Sequence, residues 1–577
     1  MRKQNNGITL IALVITIIVL LILAGVSIAT LTGDNGLLTK SNEAVVENEK
    51  GEERDQVALA YQAVKLDELA DSDSDDDITA DNLKTALENN GIKQATVTAE
   101  ADGSLTVEMP SGNKYKVTQE GIITYIGTVE ENGSGNNNLP ETEEVGAWTK
   151  LNKVSKTGGF DSSKGVNAPK LGSELTAVTL TTDINDYTTN GTWYNYVAQA
   201  ENTDGKTSKW ANAVTTDTDG SITGYYVWIP RYAYKITKGY HGIGLTPGEA
   251  GTIEVKFLKD ATNELADGTG TALTNPASIT YTDGVQNEWL VHPTFLSDAS
   301  IGGGFGSKSG SSDGITGIWV AKFEISAFID EADKSTRVIG EISTEQQIKL
   351  RVLPGVQSSN IKDIGTMYEF AYNMNRNADS HMVKNSEWGA IVYLAHSKYG
   401  RNGTDITAND TMYAGIGEAN IDIYTGGSNT ETGYLNNGIQ STTGNAYGIY
   451  DVNSGKGELI AAYVDDNTYS GLENNGGTLY TTTDMKYKNV YCKSSSREEL
   501  DNYDLSYTKK GDAIYETSMI VNNDISSWFS EGIGDFPSST QVYNDAPFFI
   551  RRLNYGIGRS WKGRGDNITF RSCLIIE

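Results

Sequence analysis

The sequence predicts an α+β protein with three parts: a long N-terminal membrane helix, a small antiparallel sheet behind it, and a large mixed domain rich in loops. Three observations lead there. Residues Ile8 to Gly33 carry no charge. From Ala95 onward, short β-type runs are divided by turn pairs such as Asp102-Gly103 and Ser111-Gly112. A polar, Gly/Asn-rich and acidic stretch over 128–145 has the composition of a flexible linker and separates the first part from everything beyond it.

The N-terminal element comes first. Met1 to Gly7 is short and polar, with a basic pair at Arg2 and Lys3. The uncharged run after it exceeds the ~20 residues that span a bilayer as a helix. The basic pair stays cytoplasmic by the positive-inside rule, so the remainder of the chain faces outward. From the residues alone, a cleaved secretory signal with a weak site at Ser27-Ile28-Ala29 and an uncleaved anchor both remain open. A charged stretch follows from Ser41 to Ala70, in which Val57, Tyr61 and Val64 recur at helical spacing and mark one apolar face. Eight acidic residues and no basic one lie between 67 and 81; such a run is a solvated loop. Asp71, Asp73 and Asp75 alternate as in some calcium loops but lack the glycine those loops need. Thr79 is placed to cap a short helix that ends at Gly91. Strands are expected at Ala95–Ala99, Ser104–Glu108, Lys114–Val117 and Ile122–Ile126. In the large part, strands are expected at Tyr225–Ile229 and Ile318–Phe323, and helices at Met367–Met374 and Ser386–His396. No strict repeat is present.

Composition narrows the function classes. The 577 residues carry a formal net charge of -29, with 75 acidic against 46 basic side chains. Such a field repels nucleic-acid backbones, so no nucleic-acid partner is expected. Gly (62) and Tyr (31) are abundant, which suits both sheet positions and adaptable recognition surfaces. Cys492 and Cys573 are too few for a Cys-rich zinc site or a disulfide-dense scaffold. Outside the cell they form one disulfide or stay as two buried thiols; both readings stand.

Two resemblances sharpen this picture. Gly7-Ile8-Thr9-Leu10-Ile11, after its basic leader, resembles the type IV prepilin motif. The resemblance implies cleavage between Gly7 and Ile8 by a prepilin peptidase, methylation of the new Ile8 amine, and contacts with other pilin subunits through the helix. It also implies that 34–127 forms a pilin-like module of helix and small sheet. Ala12 departs from the family, which carries Glu at that position of the mature helix; the departure fits a tip subunit or a membrane-held monomer.

The large domain, 146–577, resembles the formylglycine-generating-enzyme, or sulfatase-modifying-factor, branch of the C-type-lectin-like fold. The resemblance rests on Tyr226-Val227-Trp228-Ile229-Pro230, Gly317 to Ser326 (GIWVAKFEIS), Lys384-Asn385-Ser386-Glu387-Trp388, Gly444 to Val452 (GNAYGIYDV) and Phe570 to Leu574 (FRSCL). Residues 146–224 fall outside it. It implies core positions for Trp228, Trp319 and Trp388, structural polar contacts for Lys322 and Glu324, and a fold-strand role for Arg571. The family's oxidases bind copper through a close cysteine pair and its iron-binding members use clustered histidines. Here the cysteines are 81 positions apart (573 − 492), and His241, His292, His381 and His396 include no His-x-His pair. No catalytic residue, metal ligand or cofactor is therefore assigned, and the chain is not expected to be an enzyme. A calcium site at Asp451–Gly455 and a plain turn there both stay open.

Relatives of this fold recognise ligands through C-terminal strands and loops. The matching stretch, Phe548 to Arg571, holds Arg551, Arg552, Arg559, Lys562, Arg564 and Arg571 against the single acid Asp566. Aromatic and arginine side chains dominate interface hot spots. Asn554, Tyr555, Arg559, Trp561, Lys562 and Arg564 are therefore the candidate binding residues for a glycan, an anionic polymer or a protein outside the cell; pairing of these arginines with the domain's own acids is the competing reading. The function expected is a minor pilin or pilus-tip adhesin at the cell surface. The alternatives are a membrane-tethered enzyme of the formylglycine-generating type and a scaffolding surface protein on an uncleaved anchor.

Overall fold

The computed structural model describes most of residues 53–65, 78–128, 141–239, 251–328, 348–409, 414–415, 433–465, 470–492, 510–527, 548–560 and 568–576, with short interruptions. The chain is a mixed α/β protein, largely sheet with few helices, and divides into two compact units at residues 139 and 140. Among the described residues no helix is long and apolar enough to cross a membrane. Gly7, Ile8, Ala12 and the apolar run 8–33 lie outside them, as do Asp71, Asp73 and Asp75.

The first unit packs two helices on one sheet. Helix α1 covers 56–65 and buries Val57, Ala60 and Val64. Tyr61, on the same stripe, is half-buried and donates its hydroxyl to the Gln119 carbonyl (2.9 Å). Helix α2, Ala80–Asn89, starts at the Thr79 cap, whose hydroxyl accepts from Asn82 N–H while the Asn82 amide oxygen accepts from Thr79 N–H. This reciprocal pair satisfies two of the donors a helix start leaves open. The chain leaves α2 through Gly91 at φ +93°, a conformation that costs glycine little. Strands β1 (Thr96–Ala99), β2 (Leu105–Glu108), β3 (Asn113–Val117) and β4 (Ile123–Thr128) form an antiparallel meander in sequence order. Their inward positions, Leu105, Val107, Tyr115 and Val117, meet α1 and α2 in one core, as period-2 alternation requires.

The second unit is built on an eight-stranded antiparallel sheet. Across it run β11 (His381–Met382), β17 (Ser572–Leu574), β10 (Gly317–Ala321), β9 (Ile222–Pro230), β8 (Asn212–Thr216), β7 (Thr176–Leu180), β6 (Trp148–Leu151) and β5 (Thr142–Val145). Strand β5 lies inside the stretch read as linker, because Glu143 and Glu144 point their backbones at Lys150 and Thr149 of β6; polar composition hid a sheet edge. The segment 146–224, which the resemblance left uncovered, supplies three central strands of this sheet.

A second sheet carries β12 (Gly457–Asp465) at its centre. Strand β13 (Asn489–Cys492) and strand β16 (Ile568–Phe570) pair with it in parallel, and strand β14 (Phe548–Arg552) pairs antiparallel and continues into β15 (Gly556–Ser560). Helices α3 (Ile364–Asn373) and α4 (Asn385–His396) pack into the core of the unit, and every residue of α4 is buried. Trp228 and Trp319 face each other across β9 and β10, with ring centroids 5.3 Å apart. With Trp388 on α4 they stand inside the same core.

Arg571 occupies the one residue between β16 and β17, so it joins the two sheets. Its side chain is fully buried. Nε and Nη2 donate to Glu458 Oε1 (2.8 and 2.5 Å), Nη1 to the Ala321 carbonyl (2.7 Å) and Nη2 to the Tyr450 carbonyl (2.8 Å). Removing one partner of such a pair leaves a desolvated charge. Arg571→Leu should therefore cost ~3–5 kcal/mol of stability, and Arg571→Leu combined with Glu458→Leu should recover most of it. Urea midpoints of the three variants and the parent measure this; equal midpoints for the single and double variants would remove the ion pair from its structural role.

Candidate functional site

The predicted recognition stretch is the hairpin β14–β15 and the segment that leads to β16. Its register is regular, from Phe548 opposite Ser560 to Arg552 opposite Gly556. Phe548 and Phe549 are buried in the core of the unit, and Tyr491 packs on Phe549 with centroids 4.9 Å apart. Arg559 lies on β15 opposite Phe549. Asn554 and Tyr555, between β14 and β15, and Trp561, Lys562 and Arg564, between β15 and β16, lie outside the described residues.

The structure changes the charge count of this stretch. Arg571 is inside, as expected, but so is Arg551. Its guanidinium carbon sits 3.9 Å from the centre of the Trp388 ring, and Nη2 donates to the Ala513 carbonyl (3.0 Å). A guanidinium stacked on indole is weakly hydrated enough for such a place. Two of the six cations that mark the stretch therefore anchor it instead of facing a ligand. Sequence alone did not single out Arg551, since alternation along a strand predicts one buried face and β14 buries Phe548, Phe549 and Arg551 together.

Beneath the hairpin, the segment Lys510–Thr517 packs on α4. Glu516 accepts hydrogen bonds from the hydroxyls of Tyr234 (2.6 Å) and Tyr393 (2.7 Å) and from Gly511 N–H (2.7 Å). Three donors on one carboxylate keep it satisfied in the interior. His292 stands in the same aromatic box, 5.3–5.7 Å from the rings of Tyr232, Tyr234 and Tyr393. Burial lowers its pKa from 6.5 to about 3, so the ring is neutral near pH 7.

A second polar group surrounds Arg571. Burial raises the Glu324 carboxyl well above the usual range, and the Asp451 and Glu458 charges add to it. Burial likewise pushes Asp451 up to about 6. Asp451 is held at φ +62° and accepts from Asn409 Nδ2 (2.7 Å) and Gly415 N–H (2.8 Å). Residues 453–456, the rest of the turn considered for calcium, lie outside the described residues. The neighbouring Lys322 is fully buried and gives its ammonium to Asn212 Oδ1 (2.7 Å) and to the Ala446 and Gly448 carbonyls (2.5 and 3.1 Å). Lys322 and Glu324 thus make structural contacts, as read from the sequence.

A third group was not read from the sequence. Glu387 Oε1 lies 2.8 Å from His381 Nε2, and Glu387 Oε2 accepts from Lys384 N–H (2.9 Å) at the start of α4. The Cys573 thiol also bonds Glu387; burial, then the Glu387 charge, push that thiol well up. Cys573 is a free cysteine. The side chain of its distant counterpart, Cys492, is not among the described ones. His381 and Cys573 are register partners on β11 and β17. The signal missed was topological: 192 positions (573 − 381) close to one strand spacing through a C-terminal strand. All three side chains are fully buried, so in this arrangement no substrate reaches the thiol.

The chain matches no protein-family model and no curated protein.

Two titrations with opposite signs follow from these environments. For His292 the folded pKa lies below the unfolded one, so its contribution is complete above pH 6.5 and is lost as pH falls toward 3. For Asp451 the folded pKa of about 6 lies above the unfolded 3.8, so stability declines as pH rises through that window. His292→Phe should flatten the acid-side loss, by up to ~1.4 kcal/mol per pH unit, while Asp451→Asn should flatten the opposing slope. Melting temperature against pH for both variants reads this out; parallel curves for parent and His292→Phe would show that the imidazole is not the titrating group.

Proposed function

We propose that the protein is a surface-displayed minor pilin or pilus-tip adhesin. In this reading the segment 8–33 holds the chain in the membrane after cleavage behind Gly7, and the second unit is a C-type-lectin-like domain that binds an extracellular ligand. The observation that carries the binding half is the rooting of the C-terminal hairpin. Phe548, Phe549 and Arg551 fix β14 in the core, and Arg571 fixes the end of β16. Segment 553–555 therefore starts from a packed strand, and segment 561–567 leads into one. Binding residues on short segments between rigid strands are a recurrent way to join a variable surface to a fixed scaffold.

The fold assignment has its own support. The five stretches that resemble the formylglycine-generating branch converge on one core: Trp228 against Trp319, Trp388 in the same core, Lys322 on the Ala446 and Gly448 carbonyls, Arg571 on the Tyr450 carbonyl, and β17 beside β10. Their meeting in one core supports the resemblance. The pilin half is supported by the prepilin-like leader and by the first unit, in which an amphipathic helix packs on a small antiparallel sheet. The enzymatic alternative draws no support from the described residues, because the cysteine, histidine and carboxylate that come together are enclosed.

Two measurements test the reading separately. Alanine at Asn554, Tyr555, Arg559, Trp561, Lys562 and Arg564 together should abolish binding to cells or matrix with the melting temperature unchanged. A folded variant that binds like the parent would place recognition elsewhere. N-terminal mass spectrometry of the native protein should find a methylated Ile8 start; an intact Met1, or a start near Thr30, would end the pilin assignment.

A further inference from the structure

The group around Glu387 has the composition and the surroundings of a metal centre. His381 Nε2, a Glu387 oxygen and Cys573 Sγ all lie within 4.8 Å of one another, and each side chain is buried. Imidazole nitrogen, thiolate and carboxylate are the three ligand types that zinc takes in proteins. Their bond lengths of about 2.0–2.3 Å put the ligand atoms of a tetrahedral ion about 3.3–3.6 Å apart. The present hydrogen bond of 2.8 Å between His381 and Glu387 then opens by about half an ångström, within the reach of side-chain rotation.

The other nitrogen of His381 supplies an independent observation. Nδ1 lies 2.9 Å from the Asp379 carbonyl and must donate to it. This is the outer-shell arrangement that turns Nε2 of a ligating histidine toward its metal and fixes the tautomer. Nε2 lies 2.8 Å from Glu387, which also bonds the Cys573 thiol. The ring is held flat against Phe305 (centroids 4.9 Å, 29°). Lys384 gives its ammonium to the Gly302 and Gly303 carbonyls (3.2 and 2.8 Å) and lies 3.6 Å from Glu387. Gly302, at φ +109°, also accepts from Ser386 Oγ (2.6 Å), and a Cβ there would meet Ser386 at 2.8 Å. The walls of the enclosure are thus fixed by backbone and by bonds that the three ligands do not use.

We infer that His381, Glu387 and Cys573 form a structural zinc site that ties β11, β17 and the start of α4 together. Loading releases the protons that the ligand atoms carry. Three protein ligands leave the fourth position of a tetrahedral ion to water, and the burial of all three suits a centre loaded during folding. Zinc is favoured over copper because a carboxylate shares the site with the thiolate.

The test uses the full chain in detergent, refolded with zinc or with cobalt(II) and passed through gel filtration. One zinc per chain is expected, together with a higher melting temperature than the chelator-treated protein. Cobalt(II) should give the thiolate charge-transfer band and the visible bands of a tetrahedral site. Cys573→Ser should lose the charge-transfer band and His381→Gln the bound ion, whereas His292→Phe, which removes a buried imidazole elsewhere, should keep both. Cobalt spectra of the parent need no variant to fold. Substoichiometric zinc in the parent, a cobalt spectrum without a thiolate band, or an ion that persists in Cys573→Ser would each overturn the site.

Discussion

The second unit depends on how one arginine is kept charged in its interior. Arg571 separates a strand that belongs to one sheet from a strand that belongs to the other. Its planar fork reaches Glu458 on β12, the Ala321 carbonyl at the end of β10 and the Tyr450 carbonyl at once. An ammonium has no such fixed fork, and an apolar residue would leave Glu458 without a partner. Glu324 and Asp451 crowd the same place, and burial holds both toward the neutral form. The guanidinium opposes that shift in both carboxyls while it sets the relation of the sheets.

This arrangement fits a chain with few regular elements. Gly- and Asn-rich connections contribute little apolar surface, so uniqueness has to come from directional contacts as well as from packing. Lys322 docks the 446–448 carbonyls, Lys384 the 302–303 carbonyls, Arg551 the 513 carbonyl and the Trp388 ring. Each buried cation lands on backbone oxygen or an aromatic face.

Much of the first unit was legible residue by residue. The Thr79 cap, the exit at Gly91 and the four strands follow from local chemistry: a hydroxyl before a helix, a glycine after it, alternation between tight turns. In the second unit, local rules found β9, β10, α3 and α4, whose apolar runs are strong. They passed over β5, because Thr142–Val145 is an acidic edge strand and reads as linker. They also failed to separate Arg551 from the cations beside it, since its burial depends on Trp388, 163 positions earlier (551 − 388). The His381, Glu387 and Cys573 group lay beyond spacing rules for the same reason: its members meet through sheet order.

That distinction bears on how the site and the scaffold relate. Spacing-based motif searches detect chemistry carried on one element, such as a helix face or a tight loop. A chain whose polar contacts are made between sheets shows no such motif, and its titratable residues look unrelated in sequence. The absence of a His-x-His or a close cysteine pair in this sequence therefore limits copper or iron sites of the family type, and leaves open a centre assembled by topology. The same assembly anchors β14 through Phe548, Phe549 and Arg551, and the end of β16 through Arg571.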